Sequence, residues 1–473
     1  MAATSAQSDP AFPDPVRIIL DQTRPLDHPR GDRLPLLLWP AQHALVDDVA
    51  TQRRIIEALD TRGVAVIANW RWDDADPSVT RRSLDRALAA ARIQQELGLP
   101  VCVNANDIMY GFFGSEETAH RDEAGHVVDD PSIPSRRGCP FRIDARYEPM
   151  RRQTTYFVDA YRRAGVPLDF VYGDWEIDGP LEINRAWDAA RKCAACRRHI
   201  PDIESFDAFQ IAVRTKRSEA TRVTYSEPIL EAYPKALVGN YAVYPHDGWR
   251  YWLDYFETFE TDHPHRMDRR APCRRWYDDH PLTGYTFAMP VVYPWARTWA
   301  WYDFEDGDYR WLYNMLKVGS NAAAHTDPRT PIIPFVHWHT VYEPDPDDPS
   351  IRQMSERAYQ ELLWHLLLRG HGTFFLWCMK NQYPKEVALL HEVWAASLEH
   401  AEWLDQGRPI TFDVPAEPGT VISGLRLDRR VLVRRTDFGE TNAGDRTVNL
   451  EGGGTLRVPA APGRCQVLAV DDR

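Results

Sequence analysis

The sequence predicts an α/β fold, a (β/α)8 TIM barrel with a small C-terminal antiparallel β-domain. Three observations carry this. Apolar runs of strand length alternate with amphipathic runs of helical length over about residues 33–405. There are eight such strand runs. After residue 406 the texture changes to alternating apolar and polar residues broken by Gly, Asn and Pro.

The strand runs are LPLLLWP (34–40), GVAVIANW (63–70), LPVCVNAND (99–107), LDFVYGDWE (168–176), KALVGNYAVYP (235–245), TFAMPVVYP (286–294), TPIIPFVHW (330–338) and GTFFLWCM (372–379). They are short, continuous and rich in Val, Ile, Phe and Leu, as strands buried on both faces require. Helical runs lie between them: DDVATQRRIIEALDTRG after the first strand and VTRRSLDRALAAARIQQELG after the second. EPMRRQTTYFVDAYRRAG precedes the fourth strand, SIRQMSERAYQELLWHLLLRG precedes the eighth, and KEVALLHEVWAASLEHAEWL follows it. The span exceeds the usual barrel length of about 250 residues, and the excess falls in long loops after strands three, four and five. The expected organisation is a lead segment (1–32), a catalytic barrel (33–405) and a C-terminal β-sandwich-like domain (406–473).

The bulk properties narrow the function. A chain of 473 residues with 44% hydrophobic composition can bury one large core and a second, smaller one. The net charge of −13 and the absence of a basic run interleaved with aromatics exclude nucleic acid as an expected partner. No apolar run approaches the roughly 18 residues of a membrane span. MAATSAQSDPAFPDP has neither a charged n-region nor an apolar h-region, so the expectation is a cytoplasmic chain, or a secreted one should a leader precede it. Seven scattered cysteines suit reduced thiols better than a disulfide framework. Oligomeric state is not legible.

Barrel chemistry sits at the C-terminal ends of the strands. Those ends carry Trp39, Asn69 with Trp70, Asn104 with Asn106 and Asp107, Asp174 with Trp175 and Glu176, Asn240 with Tyr241 and Tyr244, Tyr293 with Trp295, His337 with Trp338 and His339, and Trp377. Aromatic faces with a few amides and carboxylates suit a sugar, which offers an apolar C–H face and a ring of hydroxyls. The bland alternative is that these rings merely fill the barrel mouth. Asp174 and Glu176 lie two apart at the end of strand four. On a strand they share a face, with Cα atoms roughly 6–7 Å apart. Like charges that close raise one pKa, which suits a general acid for glycosidic bond cleavage. Their competing reading is helix capping or pairing with Arg185 or Arg191. Asp178 reads as a loop residue.

DFVYGDWE resembles the fourth-strand signature of the chitinases, usually DGxDxDWE, at Asp169, Asp174, Trp175 and Glu176, departing at Tyr172. It also resembles the DWE of hyaluronidases. VGNYAVYPHD, TPIIPFVHW and GTFFLWC resemble hyaluronidase segments in the same order, the last placing Trp377 on a substrate-lining tryptophan. The resemblance covers the second half of the barrel well, the first half weakly, and the region after 406 not at all. It implies a retaining, substrate-assisted glycoside hydrolase acting on a 2-acetamido sugar of an oligo- or polysaccharide. Glu176 would be acid and base, Asp174 would orient the acetamido group, and Tyr241 or Tyr244 would hydrogen-bond it. Trp70, Asn106, Trp175, Asn240, Tyr293, His337, Trp338 and Trp377 complete the expected substrate-binding set.

Other layouts remain open. A galactosidase-like retaining enzyme would use Asp174 as nucleophile and Asp303 as acid/base. A non-catalytic carbohydrate-binding barrel would keep the aromatics alone. A strand-seven nucleophile fits poorly, because positions 337–339 hold His, Trp and His. His246 with Asp247, and His337 with His339, could instead ligate a catalytic metal. Cys193, Cys196 and His199 form C-x-x-C-x-x-H, for which zinc needs a fourth ligand such as Cys273, His263 or His265. No nucleotide-binding loop is present, and no cofactor or metal is assigned.

Overall fold

The computed structural model describes residues 9–109, 116–128, 138–173, 183–250, 278–294, 301–340, 352–438, 444–450 and 453–470. The fold is mixed α/β, with two parallel sheets followed by C-terminal antiparallel strands. Each of the eight expected runs contributes one parallel strand: β1 (Leu37–Leu38), β2 (Ile67–Asn69), β3 (Cys102–Asn104), β4 (Phe170–Gly173), β5 (Leu237–Asn240), β6 (Val291–Val292), β7 (Phe335–Val336) and β8 (Phe375–Leu376).

They form two four-stranded sheets, ordered β2-β3-β4-β5 and β1-β8-β7-β6. A continuous eight-stranded ring is not formed by the ladders of the described residues. At one junction a single parallel bridge joins Leu36 to Val64. At the other, Thr286 N donates to Val238 O at 2.9 Å, while Val238 N donates to the Thr286 hydroxyl at 2.8 Å. A side chain there replaces a ladder partner. Pro290, Pro331 and Pro334 have no N–H to give, which keeps β6 and β7 to two residues each.

Alternate residues of the strands feed different cores, as period-two geometry dictates. Cys102, Phe170 and Tyr172 belong to a cluster with Phe287, Phe335 and Phe375. Val101, Val103, Val171 and Val238 belong to a second cluster with Leu84, Phe157 and Tyr161. The Tyr172 ring of β4 meets Phe375 of β8 at 4.5 Å, so the sheets face one another across the first core.

Helices cover the outer faces. They are α1 (Asp14–Gln22), α2 (Val49–Asp60), α3 (Pro77–Glu96), α4 (Asn106–Met109), α5 (Tyr147–Ala164), α6 (Ile183–Lys192), α7 (Ala194–His199), α8 (Phe206–Thr221), α9 (Glu227–Ala232), α10 (Gly307–His325), α11 (Glu356–Leu367), α12 (Tyr383–Ser397) and α13 (Ala401–Gln406). Their starts follow capping chemistry: Asp48 accepts from Thr51 N at 2.8 Å, and Ser355 accepts from Ala358 N at 3.1 Å. Gly63 ends the α2 turn at φ +67°, and a Cβ there would lie 2.4 Å from the Trp394 ring of α12. Only glycine lets α12 close over this corner. α1 packs against α2 and α12, burying Val16 and Ile19, so the lead segment is tied to the main core.

The C-terminal part comprises β9 (Arg408–Pro409), β10 (Thr420–Leu427), β11 (Arg430–Asp437), β12 (Arg446–Asn449), β13 (Thr455–Val458) and β14 (Cys465–Ala469). A sheet ordered β14-β11-β10-β9 and the β12-β13 hairpin share a small core of Val431, Val433, Leu456 and Val458. This unit docks on α11 through buried polar pairs. Arg434 grips Glu361 with two bonds of 2.8 and 2.7 Å, and His365 lies 2.9 Å from both the Ser423 and Thr436 hydroxyls.

Candidate active site

Strand register builds the site. Val292 of β6 is level with Val336 of β7, which is level with Leu376 of β8, which is level with Leu38 of β1. The next residues, Tyr293, His337, Trp377 and Trp39, therefore leave the four strands at one height. His337 and Trp377 share the parity of the inward-facing Phe335 and Phe375. Their rings meet: Tyr293 stacks on Trp377 at 5.7 Å, His337 lies 5.2 Å from Trp377 and 5.5 Å from Tyr293, and Trp39 meets Trp377 edge-on at 6.5 Å. Tyr241, directly after β5, stacks on Phe335 at 5.1 Å and joins the ring from the other sheet.

A carboxylate not anticipated from sequence organises this cluster. Glu386 of α12 is fully buried beneath the end of β7. Its Oε1 lies 3.0 Å from His337 Nδ1 and 2.5 Å from His339 Nδ1, and its Oε2 accepts from Trp338 N at 2.9 Å. Burial pushes its pKa up, but the two histidines and the Trp338 amide outweigh that and hold it below the usual carboxyl range. His337 Nδ1 also faces Trp377 O at 3.1 Å. Both groups before Nδ1 can accept a hydrogen bond, so the geometry suits donation from Nδ1. His337, His339 and Glu386 are also close enough together to hold an ion. His337 Nε2 has no hydrogen-bond partner among the described residues.

Asn240 is buried at the end of β5, and its Nδ2 donates to Gly173 O at 2.6 Å. Gly173 is the last described residue of β4. The bond fixes the point from which the chain continues to Asp174, Trp175 and Glu176. Those three expected site residues lie outside the described residues, as do Asp178 and Trp295.

Other expected residues lie elsewhere. Trp70 is out of phase with the inward face. It stacks on Phe157 at 5.0 Å in the core between sheet and α5. Asn106 begins α4, its N–H donating to Asn104 Oδ1 at 2.9 Å. Tyr244 packs with Ala288 and Ile332 in a separate cluster, so Tyr241 rather than Tyr244 accompanies the ring. Trp338 turns from the ring, its Nε1 donating to Met354 O at 2.9 Å. Asp303 is half-exposed and pairs with Arg310 at 3.3 Å. His246 accepts from Gly248 N at 3.0 Å, and neither it nor Asp247 joins a three-ligand group among the described residues.

No family model matches the chain. No curated protein matches it either. Among solved structures it is similar to the GH36 alpha-galactosidase AgaA of Geobacillus stearothermophilus, solved in complex with stachyose. Identity is 11% and the TM-score 0.48, over 96% of this chain and 58% of that one. It is similar to the maltogenic alpha-amylase AmyB of Thermotoga neapolitana, at 11% identity and a TM-score of 0.41, over 90% and 94%. A third is alpha-L-fucosidase isoenzyme 2 of Paenibacillus thiaminolyticus, at 12% identity and a TM-score of 0.36, over 68% and 41%. These neighbours are glycoside hydrolases. The chain spans less than two thirds of the galactosidase and of the fucosidase. No helix among the described residues is long and apolar enough to cross a membrane.

Proposed function

We propose that this protein is a glycoside hydrolase whose two parallel sheets are the halves of a (β/α)8 barrel, with residues 406–473 as an appended β-domain. The observation that carries the reading is the aromatic cluster of Trp39, Tyr241, Tyr293, His337 and Trp377. It lies at the strand edge from which β4 hands the chain to Asp174-Trp175-Glu176. Flat apolar faces beside a buried histidine suit a pyranose ring and its hydroxyls.

The mechanism proposed is substrate-assisted and retaining, on a 2-acetamido sugar. The acetamido oxygen attacks the anomeric carbon while Glu176 gives its proton to the departing glycosidic oxygen. Asp174 orients the amide and stabilises the cationic oxazolinium. Water then opens that ring, its proton returning to Glu176. Trp377 and Tyr293 form the wall against which the sugar packs, and His337 Nε2 hydrogen-bonds a sugar hydroxyl.

The test is hydrolysis of a panel of chromogenic glycosides with and without a 2-acetamido group, the anomer of the first product being followed by NMR. Cleavage of the acetamido sugars with retention, blocked by a thiazoline mimic of the oxazolinium, is the expected result. Cleavage of sugars lacking that group, unaffected by the thiazoline, moves Asp174 to nucleophile and replaces the substrate-assisted step. No cleavage of any glycoside counts against the enzyme reading.

A further inference from the structure

Four buried side chains converge away from the aromatic cluster. Cys139, Cys193 and Cys196 are fully buried and His120 is 5% exposed. The Cys139 sulfur lies 3.8 Å from that of Cys193 and 3.5 Å from that of Cys196, and Cys196 Sγ lies 3.6 Å from His120 Nδ1. All four potential ligand atoms fall within 4.8 Å of one another. We infer that these three cysteines and one histidine form a closed site for a tetrahedral divalent cation of the zinc type.

The distances fit a tetrahedron. Zn–S bonds of about 2.3 Å and a Zn–N bond of about 2.0–2.1 Å put sulfurs about 3.8 Å apart and sulfur and nitrogen about 3.6 Å apart. A disulfide needs sulfurs at about 2.0 Å. The two sulfur–sulfur distances from Cys139, 3.8 and 3.5 Å, satisfy the first geometry and not the second. Three thiolates and an imidazole are soft and borderline donors, which favour zinc over calcium or magnesium. With four protein ligands no position is open to substrate, so the ion is structural.

The surrounding backbone is shaped for this. A Cβ on Gly138 would come within 2.6 Å of the Thr118 hydroxyl, so glycine lets Cys139 draw close to the 116–121 segment. Cys139 N donates to Thr118 O at 2.6 Å, and Ala194 N donates to Arg121 O at 2.8 Å. These bonds stitch the His120 segment to both cysteine knuckles. His120 Nε2 has no hydrogen-bond partner among the described residues, so the thiol cluster supplies the ring's only such contact there. The local apolar core is small, chiefly Ala186, Ala190, Ile200, Phe206, Phe209 and Val213, and gains most from a metal staple.

His199, which completes C-x-x-C-x-x-H in the sequence, is exposed and stacks on Phe141 at 4.7 Å. The other ligands come instead from the loop after β3. Cys273, His263 and His265 lie outside the described residues. The ion thus ties the excursion after β3 to the one after β4, and residues 174–182 lie between its second and third ligands in sequence. The site stands apart from the sugar chemistry: a chain that holds zinc and cleaves no glycoside retains it.

The experiment is metal analysis of the full-length protein purified under reducing conditions, followed by cobalt substitution. About one zinc ion per chain is expected. Cobalt should produce thiolate-to-metal charge transfer and the intense visible bands of a tetrahedral site with three sulfur ligands and one nitrogen. Cys139→Ser and Cys196→Ser should each lose the charge-transfer band or shift it, while Cys378→Ser keeps metal and spectrum unchanged. If a variant fails to fold, the stoichiometry and spectrum of the unmutated chain still decide. Reduced protein that holds no metal and takes up neither zinc nor cobalt overturns the site, as does full retention of the spectrum in a folded Cys139→Ser/Cys196→Ser chain.

Discussion

His337 Nδ1 lies 3.0 Å from Oε1 of Glu386, a carboxylate with no solvent exposure. The pair joins the end of β7 to α12 and fixes which nitrogen of His337 faces the aromatic cluster. Removing one partner of a buried pair costs about 3–5 kcal/mol, because the other polar groups stay buried and unmatched. Glu386→Ala is therefore expected to lower unfolding free energy by about that amount in urea titrations. A loss below about 1 kcal/mol would mean that solvent reaches the site and replaces the carboxylate.

The C-terminal strands are held by a second buried pair, Arg434 with Glu361. Arg434→Met or Glu361→Leu alone strands one charge, whereas the double change removes both. The double variant is expected to be more stable than either single variant, a double-mutant cycle reporting coupling of about 3 kcal/mol. Additive losses would show that the two side chains do not interact in solution.

Several histidines are buried and held neutral. Burial pushes His280, His371 and His391 down to about 4 and His365 to about 3, from 6.5. Above pH 6.5 folded and unfolded chains are alike at these groups, which then contribute nothing. Below it the unfolded chain takes up protons that the folded chain refuses. Stability therefore falls with pH from about 6.5 toward 4, by up to about 1.4 kcal/mol per unit for each group. The urea midpoint should be flat above pH 7 on this ground and drop steadily between 6.5 and 5. An unchanged midpoint across that window would contradict the burial of these rings.

Trp377 touches Trp39, Tyr293 and His337 in the aromatic cluster. Its loss should weaken sugar packing by about 1.4 kcal/mol, a tenfold rise in KM. Trp377→Phe should recover part of that. A variant Trp377→Ala with unchanged KM and unchanged oligosaccharide binding would remove this face from the substrate site.

The strands were readable because both faces of each are buried, so Phe170-Val171-Tyr172 and Val101-Cys102-Val103 appear as unbroken apolar runs. The C-terminal strands were readable from alternation. Trp70 shows where strand-end inspection stops short: Ile67 faces one core, whereas Ala68 and Trp70 face the other, so parity decides its place. The junction between β5 and β6 was illegible because Thr286 supplies a side-chain bond in place of a ladder partner. Glu386 is not legible in the sequence because it is 47 residues from His339 and sits on a helix that reads as mostly apolar. A buried acid in the first turn after a strand is the signal that could have found it. Likewise, Cys139 lies 54 residues from Cys193 and His120 lies 76 from Cys196, spacings that match no short motif.

The decisive assay compares the unmutated protein with Glu176→Gln on the best substrate of the glycoside panel, with oligosaccharide binding measured in parallel. Loss of the general acid should cut turnover at least about a hundredfold while the variant binds oligosaccharide as before. Equal turnover by the two proteins would remove Glu176 from the chemistry and with it the proposed mechanism.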